Sequence, residues 1–157
     1  MPKSTPQLDP ERHAAFLIVA LANKISASAS RAYTRRFGVG VMEWRVLAMV
    51  ARDPGTTAVQ VGQLSGVDKS SVSRAAQSLI RRGYMTAVED AADNRRSFLD
   101  LTPLGQALHD KVILASLERE ARLLDGFSGP EREALVNLLA RLSANMALVQ
   151  AEGEDDG

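Results

Sequence analysis

The sequence predicts a mainly α-helical fold carrying one small β-hairpin, and three observations predict it. Aromatic residues make up only 4% of the 157 residues, so the core must be built from Leu, Val, Ile, Met and Ala, a mixture that favours helices. Apolar residues recur at three- and four-residue spacing through several long stretches, the period of a helix face. Extended character is confined to 84–89 and 97–101, on either side of the polar run Asp90-Ala91-Ala92-Asp93-Asn94-Arg95.

Residues 1–8 read as a loose arm. Asp9-Pro10-Glu11 reads as a helix start, with Asp as cap, Pro at the first helical position and Glu facing the positive helix end. That helix runs to about Arg36 with Leu17, Leu21 and Ile25 on one face, and Gly38-Val39-Gly40 breaks it. A second helix covers roughly 41–52, with Trp44, Leu47, Ala48 and Ala51 expected on one face, and Asp53-Pro54-Gly55 ends it. Two short helices follow, one over about 57–64 and one from an Asp68 cap to about Arg82, with Ser65-Gly66-Val67 between them. Gly83 stops the second in a left-handed cap position. In the second extended stretch Leu99 and Leu101 alternate with Asp100, as in a half-buried strand.

Thr102-Pro103 then opens a helix reaching about Asp125. It carries two apolar stripes, Leu104, Leu108, Val112 and Ala115 on one and Ile113, Leu117, Ala121 and Leu124 on the other, a wider arc than one neighbour covers. Gly126 ends it. Ser128 and Glu131 form the capping box of a last helix, on which Leu135, Leu138, Leu139, Leu142, Met146 and Val149 make a single stripe.

Composition removes several kinds of function. Without cysteine the chain cannot sense oxidants through a thiol of its own, and its absence fits a reducing cytoplasm. No apolar run approaches the roughly 20 residues that span a bilayer, and the first residues lack a signal-peptide core, so a cytoplasmic location without membrane contact is expected. Only His13 and His109 offer imidazole, and they form no ligand pair, so neither metal nor cofactor is expected. Gly126-Phe127-Ser128-Gly129 is followed by Pro130 and is no nucleophile elbow, and Gly38-Val39-Gly40 lacks the third glycine of a dinucleotide site. The reading is that this is not an enzyme.

Charge is balanced, 19 basic against 19 acidic residues, but it is segregated. Between Lys69 and Arg82 the charged residues are Lys69, Arg74, Arg81 and Arg82, with no acid among them, whereas Glu152, Glu154, Asp155 and Asp156 gather in the tail. The basic block lies on the second helix of VGQLSGVDKSSVSRAAQSLIRRGY, a helix-turn-helix pattern in which Val61, Leu64, Val72, Ala75 and Leu79 are placed to pack the helices together. The outward residues would be Ser70, Ser71, Ser73, Arg74, Gln77 and Arg81, with small hydroxyls near the helix start and long donors beyond. Small groups let a helix approach base edges, Arg can pair with guanine and Gln with adenine, and Lys69, Arg81 and Arg82 are placed for phosphate. At the hairpin tip Asp93, Asn94, Arg95 and Arg96 put a carboxylate beside two guanidiniums, so that one arginine can be steered while another reaches into a minor groove. Helix-turn-helix and hairpin together read as a winged helix-turn-helix that binds double-stranded DNA.

The run Asp93-Asn94-Arg95-Arg96-Ser97-Phe98-Leu99-Asp100-Leu101-Thr102 resembles the wing signature of the multiple-antibiotic-resistance regulator (MarR) family, and Leu64 to Arg74 resembles its recognition-helix segment. The likeness covers about 9–150 in element order, with its specific motifs within about 60–105. Gly62 stands where the family commonly has Ala, and Phe98 where a polar residue is frequent. The resemblance implies a homodimer joined by its first and last two helices, a palindromic operator, usually repression, and release from DNA by a small phenolic or carboxylate ligand. The expected organisation is 9–36 with 103–150 as N- and C-terminal dimerisation helices, 41–102 as the DNA-binding region, and 1–8 and 151–157 as flexible termini. A dimer also follows physically, because one recognition helix contacts too few base pairs for useful specificity and the two final helices hold more apolar surface than a short bundle buries.

Family position further implies a small-molecule pocket in which His13, Phe16 and Arg45 join Trp44, with Arg45 facing a ligand carboxylate; the other reading of Trp44 is plain core burial. The rival to operator binding is a winged helix used for RNA or protein contacts. RNA readers usually expose aromatics for stacking, and this surface offers at most Phe98.

Overall fold

The computed structural model describes residues 7–91 and 96–151, the side chain of Ala151 excepted. It divides into two compact units, Met1–Leu114 and Ala115–Gly157.

The first unit opens with α1 (Ala14–Phe37) and α2 (Val41–Arg52). The start of α1 differs from the sequence expectation. Asp9 accepts the Glu11 N–H in an isolated turn, and the helix is capped instead by His13, whose Nδ1 accepts the Phe16 N–H at 3.2 Å. Gly38, at φ 70°, ends α1. The buried face of α2 is also shifted: Val46, Leu47 and Val50 are fully buried and Trp44 nearly so, while Ala48 and Ala51 are half-buried. A twelve-residue amphipathic helix fits two overlapping faces, and the larger Val side chains occupy the interior.

A strand absent from the sequence reading comes next. β1 (Thr56–Thr57) pairs with β3 (Ser97–Leu101), which pairs with β2 (Met85–Glu89), giving an antiparallel sheet in the order β1-β3-β2. Thr57 lies opposite Phe98 and Leu101 opposite Met85. Two residues carry no periodicity, so β1 is invisible to pattern reading; it exists because β3 offers a free edge. Between β1 and β2 lie α3 (Ala58–Ser65) and α4 (Lys69–Arg81). In β3, Leu99 is buried and Leu101 half-buried, close to expectation.

Among the described residues, the core of this unit gathers Tyr33, Val39, Leu47, Val61, Val72, Leu79 and Met85, with Leu108 and Val112 from α5 (Pro103–Leu123). Thr102 caps α5 as expected: its Oγ1 accepts the Gly105 N–H at 3.1 Å and donates to the Gly83 carbonyl at 2.7 Å. Leu104, placed on the buried stripe by spacing, is 56% exposed, and Gly105 takes the buried position because the backbone of Tyr84 passes directly over it.

The second unit holds the end of α5, a turn at Gly126 with φ 82°, and α6 (Gly129–Ala151). The capping box forms, with Glu131 accepting both the N–H and the hydroxyl of Ser128. Arg132 donates to the carbonyls of Leu124 and Phe127, closing the end of the preceding helix. The predicted stripe on α6, Leu135 to Val149, is exposed in the single chain.

Candidate nucleic-acid interface

The site begins at the turn between α3 and α4. Gly66, at φ 65°, takes the left-handed conformation that ends α3, and the Val67 N–H reaches back to the Gly62 carbonyl at 3.2 Å. A Cβ on Gly62 would stand 3.0 Å from the Val67 carbonyl, so a small residue suits this crossing. Thr57 and Gln60 cap α3 reciprocally, the Gln60 Oε1 accepting the Thr57 N–H at 2.9 Å. Val61, Val72, Ala75 and Leu79 are buried as predicted, but Leu64 is 57% exposed. At about 100° per residue the buried arc of α3 centres between positions 61 and 62, and position 64 falls about 110° from it.

Asp68 caps α4. Its carboxylate accepts the Ser71 N–H at 2.8 Å and the Ser70 hydroxyl at 2.5 Å, and these hydrogen bonds hold it far below the usual carboxylate range. Arg74 folds back over the same turn, donating to Ser71 Oγ at 2.9 Å and Ser70 Oγ at 3.4 Å. The outward face is therefore preorganised, with an exposed guanidinium held above two hydroxyls, of which that of Ser70 donates to Asp68.

The predicted contact residues fall into two groups around α4. Ser70, Arg74, Gln77 and Arg81 are exposed, while Ser71 and Ser73 are half-buried. Lys69, Ser73 and Gln77 line one side of a groove of about 530 Å³, whose other wall includes Ala87, Ser97 and Arg96. The structure thus brings Arg96, at the root of the hairpin, to the same groove as the recognition helix. Asp93, Asn94 and Arg95 lie outside the described residues.

Arg82, read from sequence as a phosphate ligand, is engaged within the protein. It donates to both Glu43 oxygens at 3.2 and 3.3 Å and to the Gly38 carbonyl at 2.9 Å, and lies over the Tyr84 ring. Its partner Glu43 was absent from the sequence reading. An acid in the first turn of α2 is ordinary helix chemistry, and only the fold brings it within 2.6 Å of the Ser78 hydroxyl, 35 residues away in sequence.

The four residues expected to form a ligand pocket do not assemble within one chain. Trp44 is 9% exposed, stacks on His109 with centroids 5.6 Å apart, and meets Tyr33 edge-on at 6.1 Å. Arg45 donates to Ser26 Oγ at 3.2 Å. Phe16 is 51% exposed, and lies ten residues, roughly 15 Å of helix, from Ser26. His13 is farther still. His109 carries no sequence signal that places it beside Trp44; hydrogen bonds from His109 and Gln106 hold its neighbour Asp110 below the usual carboxylate pKa. Among the described residues no group of His, Asp or Glu is placed to hold a metal ion, and no helix is long and apolar enough to cross a membrane.

A two-helix reading head backed by a three-stranded wing, with a polar basic face on its second helix, defines a winged-helix transcriptional regulator. A family profile described as the MarR family matches residues 37–96. A MarR/EmrR family transcriptional regulator from Acinetobacter sp. ADP1 is 31% identical over 90% of this chain and 99% of its own, with a TM-score of 0.83. A MarR-family regulator from Silicibacter pomeroyi is 26% identical over 89% of this chain and 96% of its own, at 0.76. The same fold occurs in BpsR of Bordetella bronchiseptica, whose DNA binding is regulated by 6-hydroxynicotinic acid, at 21% identity, 83% and 99% coverage, and 0.73. The chain belongs to the MarR family, and so is a DNA-binding transcriptional regulator and not an enzyme.

Proposed function

We propose that the protein is a homodimeric repressor that binds a palindromic operator and leaves it when a small aromatic or carboxylate ligand binds. One observation carries the DNA-binding half of this reading: Ser70, Arg74, Gln77 and Arg81 form one exposed polar face on α4, in a helix whose opposite face is buried. Ser70, Ser71, Ser73, Arg74 and Gln77 then face base edges, Lys69 and Arg81 face phosphate, and the wing residues Asp93, Asn94, Arg95 and Arg96 serve the adjacent minor groove. The region 41–102 reads DNA.

Dimerisation falls to 9–36 and 103–150. Leu17, Leu21 and Ile25 on α1 are exposed in the single chain, and so, separately, are Leu138, Leu142 and Met146 on α6; each is an apolar stripe that a second copy would cover. Such a dimer is also the means by which His13 and Phe16 could reach a Trp44 pocket, since one chain keeps them apart. BpsR's response to a small aromatic acid supports a ligand of that class.

The test is selection of bound sequences from a random duplex pool. The expected product is an inverted repeat with half-sites about one helical turn apart, bound with an affinity that falls steeply as salt rises. A monomeric protein indifferent to duplex DNA at low ionic strength overturns the reading, as would a preference for RNA. For the effector, Trp44 fluorescence should change on titration with small aromatic acids at the concentrations that release DNA. Release without any change in Trp44 removes it from the pocket.

A further inference from the structure

We infer that Glu43 and Arg82 are positioning residues that set the spacing between the two reading heads, an inference that rests on the dimeric operator binding proposed above. Three helix ends converge on the Glu43 carboxylate. Its Oε2 accepts the Gly40 N–H at 2.9 Å, at the start of α2. Its Oε1 accepts the Ser78 hydroxyl at 2.6 Å, from the last turns of α4. Arg82, just past the end of α4, grips both oxygens and also donates to the Gly38 carbonyl at 2.9 Å, the residue that ends α1. The carboxylate is largely buried and the guanidinium about one-third exposed.

The consequence is mechanical. Apolar packing through Val72, Ala75 and Leu79 seats α4 against its neighbours, and the polar contacts at its C-terminal end add a restraint of fixed direction to that packing. The ion pair is directional, with the Arg82 Nη1 shared between both Glu43 oxygens, and ties the C-terminal end of α4 to the start of α2, while the Arg82 Nη2 ties it to the end of α1. A 13-residue helix is about 20 Å long, so a tilt of about 5° moves its far end by about 2 Å. Doubled across a twofold axis, that approaches the ~3.4 Å step between base pairs. A loose α4 therefore blurs half-site spacing, and a clamped one keeps it.

The alternative role for Arg82, a phosphate contact, makes opposite predictions. Operators built from the selected half-sites, with the spacer lengthened or shortened one base pair at a time, should be titrated with the parent, Glu43→Gln, Arg82→Lys and Ser78→Ala. The parent should favour its own spacing by about tenfold or more, and Glu43→Gln and Arg82→Lys should narrow that to about threefold. Ser78→Ala, which removes a single hydroxyl and spares the ion pair, should fall between them and remains informative if the others melt early. The slope of log affinity against log salt should stay within ~0.9 of the parent's in all three. An Arg82→Lys variant that keeps the parent's spacing preference, a Glu43→Gln variant that binds more tightly, or an Arg82→Ala variant whose slope drops by ~0.9 per subunit assigns Arg82 to phosphate and overturns the clamp. A parent that selects no paired site would instead defeat the operator reading and leave no spacing to set.

Discussion

At the scale of single residues, the free protein holds Arg74 ready but not idle. Its guanidinium is engaged by the Ser70 and Ser71 hydroxyls, and the Ser70 proton is in turn donated to Asp68. Binding to a guanine edge must exchange these exposed contacts for better ones, which costs little because water already competes for them. Arg74→Ala should therefore weaken specific binding by roughly 1–3 kcal/mol and relax discrimination at one base position, measured by isotherms on operator variants. Asp68 makes a separate prediction about stability. Its folded-state pKa is depressed, so its contribution is complete above the unfolded carboxylate value of about 4 and is lost as pH falls below that toward the folded value. Asp68→Ala should lower the melting temperature at pH 7, and the gap from the parent should shrink as melts are repeated at increasingly acid pH. The identity of these residues as candidates was legible in the sequence, because a cap, small hydroxyls and a long donor at fixed offsets can be counted. Their mutual hydrogen bonding was not, since it depends on rotamers.

At the scale of elements, helices with strong stops were readable to within a few residues, and the misplacements have specific causes. The sequence makes Asp9 a cap, but the chain turns once more before α1, and His13, an uncommon cap, performs that task. Spacing alone places Leu64 and Leu104 on buried faces; in each case a neighbouring glycine, Gly62 or Gly105, occupies the contact, Gly62 where the Val67 carbonyl leaves room only for a small residue and Gly105 where backbone passes too close for any side chain. Gly105 is the sharper instance. A Cβ there would lie 1.8 Å from the Tyr84 carbonyl oxygen, inside any tolerable contact with an atom fixed in the chain. Gly105→Ala should destabilise the protein by about 3 kcal/mol, read from urea unfolding, because α5 would have to back away from the segment leading into β2. A full-strength Gly105→Ala protein would mean that the α5 start moves freely.

At the scale of the whole molecule, the sequence signals of the reading head and of the apolar stripes imply different things. The head completes a core within one chain, whereas Leu135, Leu138, Leu142 and Met146 stay exposed. If a second copy covers them, Leu138→Glu combined with Leu142→Glu should turn a dimer into a monomer in sedimentation and abolish operator binding at salt concentrations where the parent saturates. A double variant that remains dimeric and binds DNA places the dimer contact elsewhere. The zero net charge is no obstacle to DNA binding, because the basic residues of α4 lie within a stretch that contains no acid.

The amino-acid order by itself determined the succession of helices and hairpin, the turn at Gly66 and the polar basic face of α4, because periodicity, caps and breakers act over a few residues and need no distant partner. Tertiary structure alone decided that Thr56–Thr57 becomes a strand, that Trp44 stacks on His109, and that Arg82 is committed to Glu43 rather than left for phosphate. Each of these joins positions far apart in sequence, and which distant groups meet is fixed only when the core closes and brings them within hydrogen-bonding or packing range.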